Sequence, residues 1–127
     1  MKRPPFAPYQ GDEPYVFVCY AHDDKALVYP EIHRLHEGGV RIWYDEGIYP
    51  GVRRTDDVAR HLSGSALVLF FCTSRSVKSK HCQDEVSLAL DDQRPLVVIQ
   101  DGEVDLPPGM RLQLRPQQSI LKHNGIE

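Results

Sequence analysis

Four short apolar runs, separated by segments with helical spacing, constrain the fold of this 127-residue chain more than any other feature. The runs are YVFVCY (residues 15–20), VRIWY (40–44), ALVLFFC (66–72) and PLVVI (95–99). The first, third and fourth are continuous rather than alternating, which is typical of parallel strands that are covered on both faces. The pattern therefore predicts an α/β fold built on a parallel sheet.

The segments between the runs carry apolar residues at one-turn intervals, which predicts three helices. Thr55 has the character of a cap for the second helix, and the third begins near Ser79. The resulting order β-α-β-α-β-α-β, with short connections, implies right-handed crossovers and a doubly wound sheet. After the fourth strand, the sequence predicts an irregular segment from Asp101 to Gln118 and a short fifth strand in SILKH (119–123).

The composition excludes some classes of partner. A net charge of −3 argues against a nucleic-acid phosphate backbone as the main partner. No window offers roughly 18 continuous apolar residues, so the sequence predicts no membrane span. Three cysteines without a CxxC pair favour a reducing, cytoplasmic setting. We expect residues 1–14 to form a flexible proline-rich tail and residues 15–127 to form one domain.

Glu85 is the carboxylate whose position in the third predicted helix draws attention. The buried stripe of that helix would consist of Cys82, Val86, Ala89 and Leu90, and Glu85 lies roughly 85° to one side of it. The helix follows the third strand directly, so its first turns stand near the carboxyl end of the sheet, where ligands bind in doubly wound folds. A solvated glutamate favoured by the helix dipole would occupy the same position.

A single carboxylate restricts the chemistry that such a site could perform. Hydrolysis of an ordinary sugar ether normally requires two carboxyl groups. In NAD, however, nicotinamide leaves the ribose as a neutral molecule and needs no general acid. A fixed carboxylate such as Glu85 could then stabilise the cationic, oxocarbenium-like sugar.

The motifs VFVCYAHDD, VRIWYDEGIYPG, LVLFFCTSRSVKSKHCQDE and RPLVVI, in this order and spacing, resemble a Toll/interleukin-1 receptor (TIR) domain of the bacterial kind. The resemblance runs from about Tyr15 to His123. It implies a flavodoxin-like three-layer sandwich with a five-stranded parallel sheet. Many bacterial and plant members cleave NAD to nicotinamide and ADP-ribose or cyclic ADP-ribose, and they depend on self-association with other TIR domains.

The resemblance also implies roles for individual residues. The catalytic glutamate of the family lies three residues after a frequent cysteine, which matches Glu85 and Cys82. Matching positions around the nucleotide predict substrate contacts at Tyr20, Ala21, His22, Tyr44, Asp45, Ser74, His81 and Cys82. The segment DEGIYPGVRR (45–54) resembles the BB loop, which gates the pocket and mediates assembly. NAD is the substrate, and the resemblance implies no metal and no cofactor.

Several residues allow more than one interpretation. One or two of the basic residues Arg53, Arg54, Arg75, Lys78 and Lys80 could neutralise a pyrophosphate, although basic side chains in loops are usually solvated. His33 and His36 share a helix face, but no third metal ligand is visible. His81 and Cys82 are sequence neighbours on a helix, which predicts that they do not face each other and that Cys82 packs.

The chain departs from the family at three positions and at its end. Cys19, Ala21 and Arg54 replace a frequent serine, a frequent small hydroxyl and, among close relatives, a tryptophan. A usual final helix is missing, so we expect a domain cut from a longer signalling protein. A response-regulator receiver is disfavoured because Cys72, Thr73 and Ser74 stand where a phosphate-accepting aspartate is needed.

From the motifs and the resemblance, we predict an NAD⁺ nucleosidase that self-assembly activates in bacterial immune signalling. The sequence does not distinguish a role in antiphage defence from one in virulence. The alternative is a non-catalytic TIR adaptor that acts through homotypic protein association. Both share the fold, and Glu85 favours the enzyme.

Overall fold

The computed structural model describes residues 3–46, 55–114 and, for the backbone alone, 118–122. The strands are β1 (Val16–Cys19), β2 (Ile42–Tyr44), β3 (Leu67–Cys72), β4 (Leu96–Asp101) and β5 (Gln118–Lys122). The helices are α1 (Lys25–Glu37), α2 (Thr55–Ser63), α3 (Lys80–Asp91) and α4 (Pro108–Leu114). Single 3-10 turns at His22–Asp24 and Ser76–Lys78 lead into α1 and α3.

The strands form one sheet in the order β2-β1-β3-β4-β5, and all neighbouring pairs run parallel. This order is that of flavodoxin-like sheets, in which the chain reverses its direction of winding between β1 and β3. The connections after these two strands therefore leave the carboxyl edge of the sheet on either side of a crevice. The predicted α/β class with a parallel sheet is confirmed.

Both faces of the sheet are buried, because successive side chains of a strand point to opposite faces. On one face, Cys19 of β1 packs with residues of α2, α3 and α4. On the other face, Tyr20 packs with buried residues of α1 and β2. Burial on both faces explains why the strand sequences are continuous apolar runs. The alternation also decides which side chains can reach α3.

The prediction of an irregular segment between the fourth and fifth strands is wrong for α4. Pro108 occupies the first position of this helix, where its missing N–H would have no helical partner in any case. Met110 and Leu114 follow at a one-turn spacing, and both are buried against the core. None of the helices in the described part of the chain is long and apolar enough to cross a membrane.

Two residues of the N-terminal segment, Phe6 and Tyr9, contact the domain. The Phe6 ring stacks on His36 with ring centroids 4.0 Å apart. The backbone N–H of Tyr9 donates to the carbonyl of Ile42 at 2.8 Å, so the segment covers the outer edge of β2. Residues 1–14 contain four prolines, and this composition alone predicts a tail. Phe6, through its ring, and Tyr9, through its backbone N–H, make contacts that composition does not indicate.

Candidate active site

Three parts of the chain meet at the carboxyl edge of the sheet, next to the reversal between β1 and β3. His22 comes from the turn after β1, Asp45 follows β2, and His81 and Glu85 come from the first turns of α3. The rings of His22 and His81 have centroids 4.9 Å apart. The Nε2 atom of His22 lies 3.7 Å from Oδ2 of Asp45. The structure thus brings together four of the residues that the sequence analysis singles out.

His81 is held in one orientation by contacts to both ring nitrogens. Nδ1 lies 3.0 Å from the hydroxyl oxygen of Ser79, which also caps α3 by accepting from the N–H of Cys82. Nε2 lies 3.2 Å from the carbonyl oxygen of Tyr20. A carbonyl oxygen only accepts, so Nε2 carries a proton in this contact. His81 therefore links the start of α3 to the end of β1.

The sulfur of Cys82 lies 3.7 Å from Nε2 of His81. The prediction that these neighbours do not face each other is wrong, because the imidazole folds back over the start of the helix. Cys82 is fully buried, however, so its sulfur packs in the core as the sequence analysis expects. The thiol of Cys19 and the imidazole of His81 both lower the pKa of Cys82.

Glu85 is partly buried and stands beside this cluster. Burial raises the pKa of Glu85 to about 8, while the charge of His81 and a hydrogen bond from the Cys19 thiol act in the opposite direction. An ordinary solvated glutamate would lack the burial that causes this shift. Glu85 therefore occupies the border between core and crevice, where its ionisation responds to a nearby cation.

The two histidines carry different charges at neutral pH. Contact with the Cys82 sulfur raises the pKa of His81 to about 9, against the effect of burial. Burial lowers the pKa of His22, against the effect of Asp45. His81 is then an imidazolium and His22 a neutral imidazole. The positive charge lies on the ring that is tied to α3, one helical turn before Glu85.

The rings of Tyr20 and Tyr44 lie on the α1 face of the sheet, away from α3. The hydroxyl of Tyr20 donates to the carbonyl of Asp45 at 2.6 Å, and that of Tyr44 donates to the carbonyl of Phe6. Burial raises the pKa of Tyr44 well above its ordinary value in this position, and the hydroxyl stays protonated. The structure brings the backbone carbonyl of Tyr20 to His81 and places the centroid of its ring 5.2 Å from that of His22. The ring of Tyr44 instead contacts Phe6 and Tyr29.

The remaining predicted positions separate into two places. Ala21 is buried on the α3 face, in the same core as Cys82. Ser74 is exposed and lines another cavity, of about 770 Å³, beyond the end of β3. The other lining residues of that cavity are Val77, Lys78, Gln100, Gly102, Glu103, Val104 and Asp105. Ser74 therefore borders this cavity, and its contact with the substrate stays a prediction.

Asp24 is a buried residue whose structural role the sequence analysis missed. Its carboxylate accepts a hydrogen bond from the hydroxyl of Thr73 at 2.6 Å and pairs with the guanidinium of Arg75. This network joins the turn after β1 to the turn after β3 across the crevice. The sequence does contain an indication of this pairing, because Asp24 follows one buried strand and the Thr73-Ser74-Arg75 segment follows another. Arg75 is engaged by Asp24 rather than free for a phosphate.

Of the other basic candidates, Lys80 pairs with Asp84 at 2.8 Å on the exposed side of α3. Arg53 and Arg54, together with residues 47–52 of the segment that resembles the BB loop, lie outside the described residues. In the ranges that the structure describes, no group of three or more His, Cys, Asp or Glu side chains could hold a metal ion.

A family model described as TIR domain matches residues 16–123. The chain belongs to the TIR domain family. The match covers all five strands and the whole of the cluster around Glu85. The resemblance in the sequence motifs is thereby confirmed, and the carboxyl edge just described is that of a TIR domain.

This TIR domain is similar to an enzyme over a short segment and to two solved structures. A segment of 32 residues is 50% identical to NAD(+) hydrolase TcpA of Theionarchaea archaeon (strain DG-70-1), which is 24% of this chain and 10% of that protein. A metazoan TIR-STING receptor from C. gigas, solved with 2′,3′-cGAMP, superposes with a TM-score of 0.71 at 25% identity over 94% of this chain and 38% of that chain. The TIR domains of the activated Roq1 resistosome, which recognises the pathogen effector XopQ, share the fold with a TM-score of 0.57 at 14% identity. That match covers 80% of this chain and 64% of the resistosome chain, so this TIR domain spans less than two thirds of each relative.

Proposed function

We propose that this TIR domain is an NAD⁺ nucleosidase with Glu85 as its catalytic residue. The observation that carries the proposal is the partly buried Glu85 carboxyl group at the carboxyl edge, whose pKa burial raises to about 8. Perturbed carboxyl groups in a crevice are candidates for catalysis. The short segment with 50% identity to an NAD(+) hydrolase supports the choice of substrate.

The reaction breaks the bond between C1′ of the ribose and the pyridinium nitrogen of nicotinamide. The bonding electron pair goes to that nitrogen, so nicotinamide leaves as a neutral molecule and the ribose becomes an oxocarbenium-like cation. The carboxylate of Glu85 stabilises this cation. The oxygen of water, or a nitrogen of the adenine, then forms the new bond to C1′. Loss of one proton completes either hydrolysis to ADP-ribose or cyclisation to cyclic ADP-ribose.

Substrate binding would favour the ionised form of Glu85. The bound nicotinamide ring is a cation, and a positive charge close to a carboxyl group lowers its pKa. His81 already contributes in this direction. The resting site therefore holds Glu85 largely protonated at neutral pH, and a cationic substrate creates the charge that its own transition state requires.

The other predicted residues would act at different distances from the substrate. His22, Asp45 and His81 border the crevice and would contact the ribose or the nicotinamide ring. Ala21 and Cys82 would shape the floor below it, since both are buried on the α3 face.

Three further positions would act less directly. The carbonyl of Tyr20 accepts a hydrogen bond from His81. Tyr44 directly precedes Asp45 in the sequence and would act by positioning it. Ser74 would reach only a part of NAD that extends toward the neighbouring cavity.

We further propose that the domain works in the cytoplasm and that self-association activates it in bacterial immune signalling. One similar structure is named a receptor and another an activated resistosome, and these names support a role in signalling assemblies. If clustering brings no cleavage, the domain is a non-catalytic adaptor that acts by association alone.

The test is release of nicotinamide from NAD by protein that is concentrated or clustered on a surface, followed by chromatography of the ribosyl product. Glu85→Gln keeps the shape of the side chain and removes its charge. Asp84→Asn is the matched control, because Asp84 is the exposed neighbour on the same helix. We expect cleavage by the wild type and by Asp84→Asn, and a loss of at least about a hundredfold in Glu85→Gln. Cleavage that survives in Glu85→Gln would remove Glu85 from the mechanism.

A further inference from the structure

The N-terminal segment is fastened to the domain at two separate aromatic anchors. Phe6 stacks on His36 and meets the edge of Tyr44, with ring centroids 4.0 Å and 5.2 Å apart. Tyr9 packs near Tyr15 at 6.0 Å, and the guanidinium of Arg41 lies 5.8 Å from the centre of its ring. The two anchors belong to one segment but touch different side chains.

The Phe6 anchor is continuous with a row of three buried tyrosines. The hydroxyl of Tyr44 donates to the backbone carbonyl of Phe6. The rings of Tyr44 and Tyr29 meet edge to face with centroids 5.8 Å apart. The hydroxyls of Tyr29 and Tyr20 lie 3.3 Å apart. We call Tyr44, Tyr29 and Tyr20 the tyrosine row.

The far end of the tyrosine row holds the backbone of the candidate site. The hydroxyl of Tyr20 donates to the carbonyl of Asp45 at 2.6 Å, and that of Tyr29 donates to the carbonyl of Glu46 at 3.4 Å. These are the first two residues of the segment that resembles the BB loop, and the structure describes that segment only as far as Glu46. Asp45 in turn contacts His22. Phe6 is thus connected through the tyrosine row to Asp45, and through Asp45 to His22.

We propose that Phe6 is a positioning residue for the candidate site, and that docking of the N-terminal segment on Tyr44 fixes the backbone of Asp45 and Glu46. Among the described residues, the ring of Phe6 contacts His36 and Tyr44 rather than the cluster around Glu85, so its effect passes through the tyrosine row. The effect of Phe6 on catalysis rests on the proposed NAD cleavage. Its effect on the order of Asp45 and Glu46 does not depend on that activity.

Buried hydroxyls make this connection sensitive to displacement of the segment. Burial raises the pKa of Tyr44, so its hydroxyl stays a donor and needs an acceptor. If Phe6 leaves, the hydroxyl loses the carbonyl to which it donates, and a buried donor without a partner is costly. Tyr44 must then move or admit water, and Tyr29 and Tyr20 pack directly behind it.

The experiment compares Phe6→Ala with Tyr9→Ala in the full chain. Both variants remove one aromatic ring from the same segment, but only Phe6 contacts the tyrosine row. The first measurement is amide hydrogen exchange of the fragment that contains residues 44–46. The second is kcat/KM for NAD with clustered protein. Phe6→Trp is the conservative variant, since it restores an aromatic surface to Tyr44.

We expect Phe6→Ala to speed exchange at residues 44–46 and to lower kcat/KM by about threefold to thirtyfold, the range of couplings along connected side chains. Tyr9→Ala should leave exchange at 44–46 close to that of the wild type, and Phe6→Trp should restore it. Equal effects of Phe6→Ala and Tyr9→Ala, or none, would overturn the proposal. If the wild type cleaves no NAD, the exchange measurement decides alone, so failure of the proposed function stays distinct.

Discussion

Nε2 of His81 lies 3.2 Å from the carbonyl oxygen of Tyr20, and this contact ties the first turn of α3 to the end of β1. It places a ring with a raised pKa one helical turn before Glu85, at the reversal of the strand order. The fold thereby sets a cation beside the single carboxyl group that the proposed chemistry needs. The consequences for pH dependence can be worked out from the two pKa values.

NAD cleavage should increase with pH through the pKa of Glu85, which burial raises to about 8. Only the ionised carboxylate stabilises the oxocarbenium-like sugar, and the ionised fraction grows as pH rises through that value. The measurement is kcat/KM for NAD from pH 6 to 9, because this ratio reports ionisations of the free enzyme.

His81→Gln tests whether the charge of His81 lowers the pKa of Glu85. It removes the cation whose charge lowers the pKa of Glu85, so the midpoint of the profile should move to higher pH. A profile that is flat through pH 8 in the wild type, or that keeps its midpoint in His81→Gln, would contradict this account.

The burial that raises the pKa of Glu85 should also make folding stability depend on pH, in the direction opposite to that of activity. The pKa of Glu85 lies above its ordinary value of 4.5 in the folded protein, so the folded state binds more protons between pH 4.5 and about 8. The free energy of unfolding therefore falls as pH rises through this window. Glu85→Gln removes the titrating group and should stabilise the protein at pH 8 by about 1–3 kcal/mol relative to pH 4.5.

Urea unfolding at the two pH values measures this difference, with Asp84→Asn as the comparison. Asp84 is exposed, so its replacement should change stability little and equally at both pH values. A Glu85→Gln variant that follows the wild-type pH dependence would mean that Glu85 is solvated. The combination of lost activity and gained stability is expected of a charged group placed for function.

The strands and the position of α3 were predictable because burial on both sheet faces leaves an unmistakable apolar pattern. Glu85 could be placed at the carboxyl edge for the same reason, since the helix follows β3 directly. The substrate contacts predicted at Tyr20 and Tyr44 come from the resemblance alone and stay predictions. Strand alternation indicates where the Tyr20 ring lies, because Cys19 faces α3 and its neighbour Tyr20 must face α1.

Contacts between distant parts of the chain were not predictable in this way. Phe6 and Tyr44 are separated by 38 residues, and neither periodicity nor spacing indicates that they meet. The helix α4 was missed because its proline and glycine are read as turn residues, although proline is acceptable at a first helical position. The partnership of Asp24 with Thr73 likewise depends on the neighbouring positions of β1 and β3 in the sheet.

Asp24 should be the acidic residue after β1 on which folding depends. Its carboxylate is buried and holds both the Thr73 hydroxyl and the Arg75 guanidinium. Asp24→Ala leaves the buried hydroxyl without its acceptor and removes the ion pair, which should cost about 2–4 kcal/mol of stability. Asp23→Ala is the matched control, because Asp23 is the exposed neighbour in the same turn and should cost less than about 0.5 kcal/mol.

Thermal and urea unfolding at neutral pH would separate the two variants. Thr73→Val adds a second comparison, since it keeps the shape of the side chain and removes the hydroxyl, which donates to Asp24 and accepts from the backbone N–H groups of Arg75 and Ser76. We expect it to destabilise the protein by about 1–3 kcal/mol, because those N–H groups lose an acceptor while Arg75 still partners the carboxylate. Equal stability of the Asp24→Ala and Asp23→Ala variants would mean that the network across the crevice does not hold the two turns together.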